Sequence, residues 1–233
     1  MSNVSIYRKA VFAVAAVFLV AGGVSAKGGV EPTHYLFVPT ARVNHQGEMV
    51  LGLHEISYGL GGKLQLQTSI LDNIGRLNLA AKYGFHRNLA GGVGMAWTFV
   101  PGSIVFRPYL ERGHGIKHQH DPGVGGFLAY EFGRPHYGLV LTGHAQLAYD
   151  ASVGADIGGR VTPSKTWAFL WDAGISLDLS DGEAWLYGIG GLRFNLAPSG
   201  LFIDVGLQAV EFKLSEFRTH PGLFFDVMYC FKP

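Results

Sequence analysis

From Trp167 to Leu179 the chain alternates with a period of two. Trp167, Phe169, Trp171, Ala173, Ile175, Leu177 and Leu179 share one parity, and Ala168, Leu170, Asp172, Gly174, Ser176 and Asp178 share the other. A strand sends successive side chains to opposite faces, so the pattern predicts a strand with one wholly apolar face and one small, polar face bearing two carboxylates. At about 3.3 Å per residue it is long enough to cross a tilted apolar band of ~25 Å.

The same alternation runs through most of the chain. Leu64, Leu66, Thr68 and Ile70 oppose Lys63, Gln65, Gln67 and Ser69; Leu77, Leu79, Ala81, Tyr83 and Phe85 oppose Arg76, Asn78, Ala80, Lys82 and Gly84. Leu139, Leu141, Ala145 and Leu147 oppose Thr142, His144 and Gln146, and Val153, Ala155, Ile157 and Val161 oppose Asp156 and Arg160. Twelve strands are predicted: 49–58, 63–71, 76–85, 89–99, 104–111, 124–132, 137–149, 152–162, 166–179, 185–196, 201–210 and 223–231. Between Trp185 and Leu196 the apolar parity changes across Gly190-Gly191, which predicts a β-bulge. The two longest polar connections, Arg112 to Pro122 and Glu211 to Pro221, fall after odd-numbered strands, whereas those at Asp72, Val100, Gly133, Pro163 and Ala197 are short. Outer-membrane barrels keep short turns at one end and longer loops at the other.

Before the first strand, Tyr35 to Val43 is extended but interrupted by Pro39, which lacks a ladder donor. This piece is expected to form an edge strand, a bent lead-in or a segment tucked inside the fold. Further upstream, Arg8 and Lys9 precede an apolar run from Ala10 to Val20 and the small residues Val24-Ser25-Ala26. That is the layout of a secretory signal peptide cut before Lys27. The expected organisation is therefore a signal over 1–26, a lead-in over 27–46 and one β-domain over 47–233.

Composition narrows the choice of environment. Of 233 residues, 48% are hydrophobic, 15% are charged and 34 are glycine, and the net charge is +1. Nothing here points to a nucleic-acid partner. No apolar run after the signal is long enough for a spanning helix, so a membrane-embedded form has to be a closed barrel, because an open sheet edge in lipid leaves backbone groups unpaired. The fold class expected is all-β: a single antiparallel transmembrane β-barrel of about twelve strands, ten to fourteen being the range the pattern allows. A soluble β-sandwich would have to bury every apolar face named above. Cys230 is the only cysteine, makes no internal disulfide and is expected to pack as a small hydrophobe.

The final strand, with Leu223, Phe225, Val227, Tyr229 and Phe231 on alternate positions, completes a pattern that resembles the bacterial outer-membrane β-barrel superfamily. The resemblance implies outer-membrane localisation, contact with outer-membrane lipid, and handling by the barrel-assembly machinery, which in the family reads a terminal aromatic residue; here Lys232-Pro233 follows Phe231. The lead-in Val38-Pro39-Thr40-Ala41-Arg42 is similar to the opening of some barrels linked to envelope or exopolysaccharide systems.

Candidate chemistry lies on the polar parity. Lys63, Arg76 and Lys82 come from the second and third predicted strands, and Asp172 and Asp178 from the ninth, so in a twelve-strand cylinder these walls face one another. Two outcomes follow from that: a transverse field across an open lumen suited to small polar or zwitterionic solutes, or charges that satisfy one another across a filled interior. His144, Asp156 and Arg160 are further candidates for the lumen wall, and His144 and Asp156 are placed to pair across a hairpin. Ser152 shares their face but lies four residues from Asp156, so no Ser-His-Asp nucleophile is predicted. His118, His120 and Asp121 carry metal-ligand chemistry, but they read as a solvated loop. No catalytic residue, metal site or cofactor is expected. The function expected is structural, or passive porin-like passage of small polar solutes. An envelope-interaction protein acting through its loops, or a lipid-active hydrolase, are the alternatives.

Overall fold

The computed structural model describes residues 32, 34–36, 38–68, 76–98, 122–134, 136–147, 151–179, 182–196, 199–213 and 222–232. The expected signal segment and the histidine-bearing stretch 114–121 lie outside them.

Twelve strands close into one ring: β1 (Met49–Gly52), β2 (Ile56–Gly61), β3 (Leu64–Thr68), β4 (Arg76–His86), β5 (Leu89–Thr98), β6 (Pro122–Arg134), β7 (Tyr137–Leu147), β8 (Ser152–Val161), β9 (Trp167–Asp178), β10 (Ala184–Leu196), β11 (Leu201–Lys213) and β12 (Gly222–Phe231). Each strand pairs antiparallel with its sequence neighbour, and β1 closes on β12 through Met49–Phe231 and Val50–Cys230. Closure removes the unpaired sheet edge that lipid does not tolerate.

The alternation maps onto the two faces of this wall. Leu77, Leu79, Val93, Met95, Leu128, Phe169, Leu207 and Leu223 are exposed on the outside, while Gln65, Asn78, Lys82, Gln146, Asp172 and Asp178 are buried on the inside. A soluble sandwich is thereby excluded, because its apolar faces would be the buried ones. Cys230 packs inside among Val50, Phe202 and Met228.

The strand number agrees with expectation, but the strands themselves are divided differently. The stretch 49–58, expected as one strand, breaks at 53–55, where the Gly52 N–H donates to the Glu55 carbonyl at 2.7 Å and the Leu53 N–H donates to Asp226 Oδ1 at 3.0 Å. Ile104 to Glu111, expected as a strand, lies outside the described residues, and the ring closes without it because β5 pairs directly with β6. The connections at Asp72 and Val100 consequently belong to the same end as the two long ones. That end holds the carboxyl ends of β1, β3, β5, β7, β9 and β11; the other, the short-turn end, holds those of β2, β4, β6, β8, β10 and β12.

The predicted bulge is also relocated. β10 keeps unbroken register with β9, and the shift lies against β11, where Gly188 pairs with Val210 and Ile189 with Gln208. The apolar residues that suggested a phase change, Tyr187 and Ile189, point inward and pack on an interior apolar cluster. The face did not switch; its chemistry did.

Candidate functional site

That cluster exists because the lead-in folds back inside the barrel. His34 and Pro39 bridge antiparallel, with the Tyr35 N–H donating to the Val38 carbonyl at 3.0 Å, so the chain makes one tight hairpin. Pro39 has no N–H to extend the ladder, and the hairpin stops there. Tyr35, Leu36 and Val38 are buried against Phe127, Val140, Leu170, Ile189 and Phe224 of the wall. Burial of side chains of the Leu and Val kind contributes on the order of 1.5–3 kcal/mol each. Two glycines make room for the tyrosine: a Cβ at Gly138 would collide with its hydroxyl, and one at Gly158 would crowd its ring and the Asp172 carboxylate.

An inserted backbone also needs partners for its polar groups, and the wall supplies charged ones. Glu131 on β6 accepts from the Tyr35 hydroxyl at Oε1 and from the Ala41 N–H at Oε2, both at 3.0 Å. Asp172 Oδ2 on β9 accepts from the Val38 N–H at 3.0 Å. Arg193 on β10 donates to the carbonyls of His34 at 3.2 Å and Tyr35 at 3.0 Å, and is itself held by a two-pronged pair with Asp204 at 2.8 and 2.7 Å. His34 Nδ1 meets Glu55 Oε2 at 2.6 Å. Burial alone would lower the His34 pKa, but the Glu55 carboxylate and its hydrogen bond outweigh it, and the imidazole titrates above its ordinary value. Burial next to Glu131 pushes the Tyr35 phenol up, so it stays protonated and donates. Further along, the Asn44 N–H donates to Gln65 Oε1 at 2.9 Å and its amide to Ser57 at 2.9 Å.

Above the hairpin, at the short-turn end, lies a cavity of about 850 Å³ whose lining includes Arg42, Lys63, Arg87, Arg160, Lys165 and Arg193 and, among the described residues, one acid, Glu131. At the opposite end the wall groups bind each other: His144 Nδ1 lies 3.1 Å from Asp156 Oδ2, and the Tyr187 hydroxyl donates to Asp156 Oδ1 at 3.3 Å.

An outer membrane channel from Pseudomonas putida F1, known from its crystal structure, matches this chain with a TM-score of 0.50 at 15% sequence identity, over 87% of this chain and 100% of that one. The likeness is one of fold, a closed antiparallel β-barrel. No protein-family model and no curated protein matches the chain.

The barrel distributes the sequence-derived lumen candidates unevenly. Lys82, Asp156, Asp172 and Asp178 are buried on the inner wall, as is His144. Arg160 lines the cavity at the short-turn end. Arg76 opens β4 opposite Thr98, which puts it at the long-connection end. Lys63 departs from expectation. It is not a wall residue of β3 but sits in the turn after Gly61 and Gly62 with φ +67°, exposed at the cavity. Of the opposed walls expected from Lys82 and Asp172, the Asp172 side is engaged by the lead-in hairpin inside the barrel. Ser152 stands opposite Gln146 and Asp178 in register, not beside the His144–Asp156 pair.

Glu131, Arg193, Asp204 and Glu55, which carry the contacts to the hairpin, are absent from the sequence-derived set. A signal existed for two of them. Leu192-Arg193-Phe194 and Ile203-Asp204-Val205 each place a lone charge between apolar outward residues, and Arg193 and Asp204 are cross-strand partners.

Proposed function

We propose that this protein is a small outer-membrane channel of porin-like type, held shut by its own amino-terminal segment, that passes small polar solutes when the segment shifts. In this reading the short turns face the periplasm and the longer connections face outward, as in barrels of known orientation. The observation that carries it is the way the lead-in is held. Its backbone is bound by Glu131, Asp172 and Arg193, groups that belong to the inner wall and would line an aqueous passage once the hairpin left. Charges that merely filled a structural interior would satisfy one another within the wall, whereas Glu131 and Asp172 accept hydrogen bonds from the hairpin. A channel needs a polar wall, and a removable plug must lend that wall its hydrogen-bonding groups in the closed state.

The test is single-channel conductance in planar bilayers, on refolded mature chain whose folding is confirmed by heat-modifiable gel migration. Native protein is expected to be silent or to open rarely and briefly. Glu131→Gln together with Asp172→Asn, which weakens the anchoring without changing size, is expected to give longer and more frequent openings. A folded double variant that stays silent overturns the channel reading, and steady conductance by the native chain overturns the plug.

A further inference from the structure

We infer that the cavity at the short-turn mouth is a binding site for a small, polyhydroxylated organic anion of the sugar-acid or sugar-phosphate class. Its volume, about 850 Å³, lies within the range of small-molecule sites. Its charge is the decisive property. The whole chain carries only +1, yet Lys63, Arg87 and Lys165 converge here beside Arg160 and beside Arg42, which pairs with Glu48, and among the described residues Glu131 is the one acid in the lining. Both oxygens of that acid already accept hydrogen bonds from the lead-in. Among the described residues, no acid lies within ion-pair reach of Lys63, Arg87 or Lys165. These three exposed cations around one concavity repel one another, and the arrangement is favoured when an anion shares them.

Two donors point the same way. Arg42 binds Glu48 through Nη2 at 3.3 Å, but its buried Nε has no partner, and neither has the buried hydroxyl of Thr162, which also lines the cavity. Buried polar atoms left unpaired are costly and uncommon, so a pair of them lining one concavity marks where a ligand's acceptors fit. Guanidinium and ammonium groups select carboxylate or phosphate oxygens, and the Thr162 hydroxyl adds a donor and acceptor suited to a neighbouring alcohol. Binding here is independent of conduction, because the cavity is present with the hairpin in place.

The experiment is isothermal titration of the detergent-solubilised mature barrel with glucose 6-phosphate, glucuronate, inorganic phosphate and glucose. Both sugar anions are expected to bind, more weakly as salt is raised, and glucose is expected not to bind. The exposed rim substitutions Lys63→Glu, Arg87→Glu and Lys165→Glu, combined, are expected to weaken binding by at least roughly tenfold. Thr162→Val is expected to weaken glucose 6-phosphate binding while leaving inorganic phosphate unchanged. Absent binding of either sugar anion, equal binding of glucose, or a folded triple variant that binds like the native chain each overturns the site. So does binding confined to micelles containing phosphatidylglycerol with no competition from soluble anions, since the rim charges would then be meeting a lipid headgroup. Because the assay reads binding without transport, a silent bilayer leaves its result standing.

Discussion

The two ends of the barrel interior solve the same problem in opposite ways. Both are walled by strands of the same alternation, and both bury ionisable groups that require partners. Toward the long-connection end wall groups pair with one another, His144, Asp156 and Tyr187 being joined across β7, β8 and β10. Toward the short-turn end the wall groups are turned over to a separate segment: Glu131, Asp172 and Arg193 hold backbone atoms of the hairpin. A wall that pairs with itself is finished once the ring has closed. In the proposed channel, a wall that pairs with a tethered segment has a second state, in which the segment leaves and water takes its place. This difference is what makes closure by the lead-in reversible in that channel, through the contacts of Glu131, Asp172 and Arg193.

Removing Arg193 should break this comparison most severely. Arg193→Ala leaves Asp204 buried without its cation and strips two hairpin carbonyls of their donor. Loss of one partner from a buried pair costs about 3–5 kcal/mol. The variant is expected to unfold at distinctly lower urea in a gel-shift titration; a midpoint equal to the native one would mean that Arg193 is dispensable to both the wall and the hairpin. Gly158→Val acts from the other side by filling the space that Tyr35 and Asp172 use. Overpacking of this kind costs about 1–3 kcal/mol. Here the strain is relieved if the hairpin leaves, so the expected signature is a rise in open probability. Combining it with Tyr35→Ala should recover part of the lost stability, since the two sites share one space.

Tyr35→Phe is gentler. It removes one hydroxyl from Glu131 Oε1 and leaves the ring packed, for an expected loss of about 1 kcal/mol. The corresponding deletion at the other end, Tyr187→Phe, removes the hydroxyl from Asp156. Both variants should show similar stability losses, but only Tyr35→Phe is expected to change conductance. Equal effects on conductance would erase the distinction between the two ends.

How much of this could be read in the sequence follows the range of the interactions. Alternation is a nearest-neighbour property, so the faces of β4, β7, β8 and β9 were legible residue by residue, down to the pairing of His144 with Asp156 across a hairpin. Turn position was less so. Lys63 fits the parity of the following strand, and only the left-handed backbone of Gly61, Gly62 and Lys63 assigns it to the turn. The apparent phase change at Gly190 misled for a related reason: Tyr187 and Ile189 are apolar residues on an inward face, which is sensible only once the hairpin is known to pack there. The lead-in itself offered three readings, because Pro39 excludes a regular strand without saying where the segment goes. Its partners, Glu131 and Arg193, lie roughly a hundred residues or more away in the chain, and no local periodicity reports a contact of that span.

The smallest expected effect is also the one whose sign is most informative. His34 belongs to the hairpin and is paired with Glu55 from the β1–β2 connection. Burial opposes its charge, yet Glu55 at 2.6 Å prevails and raises its pKa above the ordinary value near 6.5. A raised folded-state value means that the docked hairpin binds the proton more tightly than the undocked one does. The stabilisation is therefore complete below about pH 6.5 and is lost as the pH climbs through the folded value. Open probability is expected to rise with pH over that window, and the dependence should vanish in His34→Gln. Glu55→Gln sharpens the point further. With the carboxylate gone, burial becomes the dominant influence on the imidazole, and the dependence should reverse, docking weakening as the pH falls. A pH dependence that persists unchanged in both variants would show that a titrating group other than His34 carries it.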